Sequence, residues 1–225
     1  MADALRLMLE LGPKGTKVVA VAPDWPGLAR GAKSEDAAID RLLAYVPRYA
    51  KVANLAGMEA AFPSNPSSDV VERYPGTSST DFWGISFAFS DFDRQALSDH
   101  ELERELSLLR ACWAFFDETR ARVSAELQKG PRGGGRDRDR IVRHTIASEQ
   151  QWARKLGSPT PADARLSDAA LLAHREAYGD GIRALHTQGN MARTWPLRYL
   201  IRHTAFHTMD HAWEMEDKDL TGRGE

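Results

Sequence analysis

The chain has 225 residues, of which 42 % are hydrophobic and 28 % charged, and its formal net charge is −2. Lys and Arg are mixed with Asp and Glu throughout, which excludes the basic footprint of a nucleic-acid binder and the basic face of a membrane-surface protein. A single cysteine, Cys112, excludes an intrachain disulfide, and no apolar run is long enough to span a bilayer, so a reducing, cytoplasmic location is expected.

The N-terminus MADALRLMLELGPKG lacks the apolar core of a signal peptide. KVVAVAPDWPGLARGAKSEDAAIDRLLAYV then opens with a β-rich run at Val18–Val21. Pro-Asp-Trp-Pro-Gly marks a turn, and residues 28–30 a short return strand. Gly31 breaks the chain, and Ser34 caps a helix carrying Ile39, Leu42, Leu43 and Val46, which Pro47 ends or kinks. A second helical piece over 49–61, a loop at FPSNPSSD and a short strand in DVVERYPG follow. In FWGISFAF, Trp83, Ile85, Phe87 and Phe89 alternate with Gly84, Ser86, Ala88 and Ser90. That period predicts a half-buried strand, either a pocket wall or, more commonly, the core face of a sheet. Residues 1–92 therefore predict a small αβ domain.

From Leu97 the period becomes helical. Ser98 and Glu101 form a capping box ahead of a long helix with the stripe Leu102, Leu106, Leu109, Trp113, Phe116, Val123 and Leu127. KGPRGGGRD is a loop, because consecutive glycines are poor in any helix. A second helix covers 138–156, and GSPTPADAR is a loop. Ser167 caps a third helix, with Leu166 and Leu171 at the positions of a hydrophobic staple, and this helix ends near 186–189. Thr194 caps a fourth, with Pro196 in its first turn, fraying at 217–222. Residues 93–225 predict a four-helix bundle, so the class is α+β, with no internal repeat.

The fourth helix contains IRHTAFHTMDHAWEMED, with His203, His207 and His211 at four-residue intervals. At about 100° per residue, His207 and His211 share the face of Leu197, Leu200, Thr204 and Met215, while His203 falls on the flank beside Asp210. Phe206 and Trp213 point to the far side, toward the N-terminal domain or the second subunit of a homodimer. Residues eight apart are separated by about 12 Å along a helix, and nitrogens bind Zn²⁺ at about 2 Å, so His203 and His211 cannot share an ion. The pair is His203/His207 or His207/His211, and the wheel favours the second. His144, in IVRHTIASEQQWARKL, shares a face with Ile141, Ser148 and Trp152 and is the candidate third ligand.

A buried, unpaired imidazole is costly, and either metal or hydrogen bonds to carbonyls, hydroxyls or Asp210 would offset that cost. The i, i+4 pair with a third inward histidine favours metal. All-imidazole donors suit Zn²⁺, Ni²⁺ or Fe²⁺. His100, His174 and His186 read as surface residues. Glu149 is either a support behind the ligands or solvated. Glu214 and Glu216 are exposed helix-end residues or a general base beside bound water. Cys112 reads as a buried, inert thiol.

One inward histidine on the second helix and an i, i+4 pair on the fourth resemble the DinB-like superfamily of metal-binding four-helix bundles, over residues 97–218. HTIASEQQW is similar to that family's second-helix segment and HTAFHTMDHAWEMED to its fourth. The family motif often has an extra histidine one turn before its two ligands, a role that falls to His203, leaving His207 and His211 as ligands. The resemblance implies an up-down-down-up bundle with a crossover at GSPTPADAR. It also implies a metal-dependent S-transferase working with a low-molecular-weight thiol, since members include isomerases and S-transferases that use mycothiol or bacillithiol. Ala-Trp-Glu follows His211 where many members carry Arg-Gly-Gln, so no substrate is carried over. VAVAPDWPGLARGAKSEDAAIDRLL resembles the strand–turn–strand–helix unit of HicB-like domains. The rival readings are a metal-dependent hydrolase and a non-catalytic, ligand-binding or regulatory protein with a structural metal.

Overall fold

The N-terminal part of the computed structural model, which describes residues 4–131, 133–158 and 167–222, is a sheet of four strands in the order β3-β2-β1-β4. β1 (Leu5–Leu11) pairs antiparallel with β2 (Val18–Val21), and β2 with β3 (Ala29–Ala32). β4 (Ser68–Pro75) lies parallel to β1, so the chain must cross over before it. Helices α1 (Glu35–Leu43) and α2 (Val46–Leu55) make that crossover. The Ser34 side chain accepts from the Ala37 amide and caps α1. Pro47 neither ends nor kinks that helix. It sits in the first turn of α2, where a missing N–H has no partner to lose. The predicted 49–61 helix is α2 followed by a separate 3-10 turn at Glu59–Ala61.

β1 is a strand that the sequence reading passes over. Leu5, Leu7 and Leu9 enter one apolar cluster and Met8 another, so both faces are covered and no alternation survives. Its Glu10 is fully buried. The carboxylate accepts from the hydroxyls of Thr80 (2.5 Å), Ser86 (2.7 Å) and Tyr74 (3.1 Å), and from the Phe87 amide (3.0 Å).

These bonds overturn the predicted strand at FWGISFAF. Residues up to Trp83 belong to helix α3 (Ser78–Trp83), which Gly84 ends at φ 70°. The segment after it is irregular and is held by Glu10 through Ser86 and Phe87. The alternating residues share no buried face: Trp83 and Phe87 are 67 % and 41 % exposed, Ile85 and Phe89 are half-buried, and Ser86 and Ser90 of the opposite set are the buried ones.

After the short α4 (Asp91–Arg94) come four long helices: α5 (Asp99–Arg122), α6 (Arg138–Ala153, prolonged by a 3-10 turn to Leu156), α7 (Asp168–Thr187) and α8 (Leu197–Asp217). Cross-links fix their directions. Arg198 with Glu105 at one end and Arg122 with Glu216 at the other make α5 and α8 parallel. His186 with Asp99 and Arg120 with Asp168 make α7 antiparallel to α5. Arg136 on Glu214 and Trp152 on His203 make α6 antiparallel to α8. The Ser98–Glu101 and Ser167 caps form as expected. Thr194 does not cap α8: Pro196 holds the N-cap position, without a side-chain bond. Leu166 and most of the GSPTPADAR loop lie outside the described residues.

α8 is buried on almost every side. Leu200, Met209 and Trp213 share one apolar cluster with Phe116 of α5, Leu42 of α1 and Tyr49 of α2. Phe206 packs with Met8, Val19 and Tyr74 of the sheet. The far side of α8 thus meets the N-terminal part. No helix among the described residues is long and apolar enough to cross a membrane.

Candidate metal centre

α6 and α8 run side by side in opposite directions, which brings the first half of α6 against the second half of α8. His144, His207 and His211 meet there. Each offers one ring nitrogen, and the three nitrogens lie within 4.8 Å of one another, so the group can hold a metal ion. His144 Nε2 is 3.3 Å from His207 Nε2. Two nitrogens bound at about 2.05 Å to a tetrahedral ion stand about 3.3 Å apart, the same separation. The three rings are mutually close, with centroids 5.1 Å (144–207), 5.0 Å (144–211) and 4.5 Å (207–211) apart.

The surroundings orient the donors. His211 Nδ1 is 2.8 Å from Glu214 Oε2, one turn on, which leaves Nε2 to face the cluster. A carboxylate behind a ligating imidazole fixes its tautomer and raises its basicity. Glu214 is itself held by Lys218 (2.7 Å) and Arg136 (3.2 Å). Burial alone would raise its pKa, but the bonds from His211 and Lys218 and the charge of Arg136 outweigh it and bring Glu214 to about 2. It is therefore neither the exposed carboxylate nor the free general base that its helix-end position suggests. His207 Nδ1 is buried and has no partner among the described residues. Burial, then the neighbouring His211, pushes His144 down to about 4 and His207 well below its ordinary value. Neutral imidazoles are the form that binds metal.

His144 differs in one respect from the expectation that it points to the core. Ile141 and Trp152 are buried, but His144 is exposed, at the rim of the cluster. The side that it occupies is open to solvent. His203 is not part of the group. It is 2 % exposed and boxed by aromatic rings: stacked on Tyr199 (5.2 Å), with Trp152 (4.8 Å), Phe87 (4.9 Å) and Trp195 (5.4 Å) edge-on. Burial and the adjacent Arg202 push it down to about 3. Asp210, placed beside His203 on the wheel, pairs instead with Arg30 at 2.9 Å.

Three further residues depart from expectation. Glu149 is neither solvated nor beside the ligands; it is fully buried against Arg175 (3.1 Å). His174 is buried rather than on the surface, whereas His100 is exposed. Glu216 pairs with Arg48 and Arg122. Cys112 is buried, and burial raises its thiol pKa far above the ordinary value, as an inert thiol requires. Trp152, whose ring lies 5.1 Å from His207, is a wall of the site that sequence reasoning noted only as a neighbour of His144.

No family model matches the chain, and neither a curated protein nor a solved structure is found to be similar to it.

Proposed function

We propose that the chain is a divalent-metal-binding protein of the DinB-like superfamily that acts as a metal-dependent S-transferase, joining a low-molecular-weight thiol to a small electrophile. The observation that carries this reading is the convergence of three imidazole nitrogens from α6 and α8, with His211 already turned by Glu214. The helix directions add support: α5 and α8 run one way and α6 and α7 the other, as an up-down-down-up bundle requires. The β2–turn–β3–α1 unit is the part on which the HicB-like resemblance rests.

Zn²⁺, Ni²⁺ or Fe²⁺ held by His144, His207 and His211 would stabilise a bound thiol as its thiolate, the nucleophilic form. The chain's own residues do the rest. His144 at the rim leaves one side open for a small molecule, which favours a working site over a closed structural one. Trp152 and the aromatic box beside it wall the inner side. Glu214 holds the proton on His211 Nδ1. Two carboxylates of α8 next to the ligands are held by cations: Glu214 by Lys218 and Arg136, Asp210 by Arg30.

The test is metal analysis of untagged protein and of variants. About one equivalent of transition metal is expected for a three-histidine site, lost in His144→Ala and His207→Ala and retained in His203→Ala. No metal after Zn²⁺, Ni²⁺ and Fe²⁺ are supplied in turn would overturn the site. A loaded protein that consumes no thiol with any electrophile would overturn the transferase.

A further inference from the structure

Beside the histidine face of α8, Phe206 and Asp210 wall a recess of about 310 Å³ that β3, the start of α1 and the Trp83–Gly84 turn close on the other sides. Four cations line it: Lys17, Arg30, Lys33 and Arg41. Asp210 is the one carboxylate among the lining residues. It meets Arg30 Nη1 at 2.9 Å and is itself 44 % exposed. Among the described residues, none of the other three forms an ion pair. Lys17 Nζ donates to the Phe82 carbonyl (2.6 Å) and Arg41 Nη1 to the Gly31 carbonyl (2.9 Å), both uncharged acceptors. Lys33 is exposed and bonds to none of the described residues.

Arg30 is unusual for an arginine at a recess. It is 5 % exposed, with its guanidinium held over the rings of Tyr45 (3.8 Å) and Trp213 (4.1 Å). Its Nε is buried and has no partner among the described residues. Burial keeps the group below its ordinary pKa, and Asp210 offsets only part of that. Such a cation is fixed in place and under-compensated. Buried charges are normally paired, and like charges gathered on one recess raise its potential for anions. The backbone makes the recess rigid: a Cβ on Gly31 would lie 2.2 Å from the Gly84 carbonyl oxygen, so the two segments meet main chain to main chain. Trp83, 67 % exposed, adds an aromatic surface at the edge.

We propose that this recess binds the anionic group, phosphate or carboxylate, of a small molecule whose apolar part lies against Trp83. Guanidinium and ammonium groups suit both anions, and Asp210 at one side disfavours a large polyanion. The site uses none of the three histidines, so it stands or falls apart from the metal reading.

The experiment is calorimetric titration of the full chain at low salt with phenyl phosphate, benzoate and inorganic phosphate. At least one probe is expected to bind, about tenfold more weakly in Lys33→Gln/Arg41→Gln, since a charge-assisted contact contributes about that factor. His144→Ala should leave the affinity unchanged. Trp83→Leu should weaken phenyl phosphate but not inorganic phosphate. The tighter of phenyl phosphate and benzoate identifies the anion. Lys33 and Arg41 are exposed, so the variants should fold, and Lys33→Gln alone gives a milder check. Affinity unchanged in both cation variants, or lost in His144→Ala, would overturn the proposal. So would the absence of binding by all three probes up to about 10 mM, a concentration that detects even very weak sites.

Discussion

Replacing Glu214 by alanine leaves all three histidines in place and removes only the group behind one of them. Glu214 Oε2 lies 2.8 Å from His211 Nδ1, and no other acceptor among the described residues is bonded to that nitrogen. Without it, the His211 ring is free to exchange tautomers and to turn its Nε2 from the cluster. Lys218 and Arg136, which now meet at Glu214, would be left as uncompensated cations near the ion. Loss of such a partner typically lowers metal affinity by about 10–100-fold, or roughly 1.4–2.7 kcal/mol. Glu214→Gln keeps an acceptor oxygen and loses the charge, so its effect should fall at or below the lower end of that range. The assay is competition for Zn²⁺ against a chromophoric chelator at fixed pH and salt, with stoichiometry measured alongside. Stoichiometry should be unchanged in both variants. A Glu214→Ala affinity within about twofold of the parent, well below the effect of a lost partner, would refute the claim that Glu214 orients His211.

Two other predictions concern the bundle. Glu149→Ala removes one partner of a buried pair, leaving Arg175, 6 % exposed, without its main counter-charge. Breaking such a pair costs about 3–5 kcal/mol, which for a chain of this size lowers Tm by roughly 6–20 °C; a change under about 2 °C in a thermal melt would show that Asp117 alone compensates Arg175. Glu101 is brought to about 2 by bonds from the Ser98 amide and hydroxyl, which outweigh its slight desolvation. Its folded value lies below the ordinary glutamate value, so its contribution is present above that value and fades as pH falls toward about 2. The stability gap between the parent and Glu101→Gln should therefore be open at pH 6 and close below pH 3, with denaturant melts as the measure; a gap that stays constant would deny the capping role its pH dependence.

What the sequence made legible was local. The Ser34, Ser98 and Ser167 caps each depend on residues three or four positions apart, and all three form. The histidine group was read from spacing on one helix plus one inward-facing candidate on another. What was missed depends on partners far along the chain. Glu10 is buried because hydroxyls from 74, 80 and 86 reach it, and those bonds also turn FWGISFAF from an apparent strand into a tethered segment. The sequence left Glu149 as a support or a solvated residue, and Glu214 as an exposed helix-end residue or a base, because their partners Arg175 and Arg136 come from outside their own helices. β1 carries no alternation because it is covered on both faces.

The ladder itself shows why equal spacing gives unequal roles. Four residues advance a helix by about 400°, so each step of the ladder drifts by about 40°, and His203 and His211 differ by about 80°. One step keeps His207 and His211 facing the same neighbour, and their rings are 4.5 Å apart. Two steps carry His203 into a different environment, where Phe87 and Trp195 come from outside the α6–α8 pair. Trp152 spans the drift, touching His203 at 4.8 Å and His207 at 5.1 Å, and so divides the polar cluster from the aromatic box. The same rotation places Phe206 against the sheet and Asp210 against Arg30. A single helix thus presents an open imidazole cluster, a closed aromatic box and a wall of the cationic recess on three successive faces. A polar residue on each of them is what keeps α8 from reading as a simple apolar stripe despite its near-complete burial.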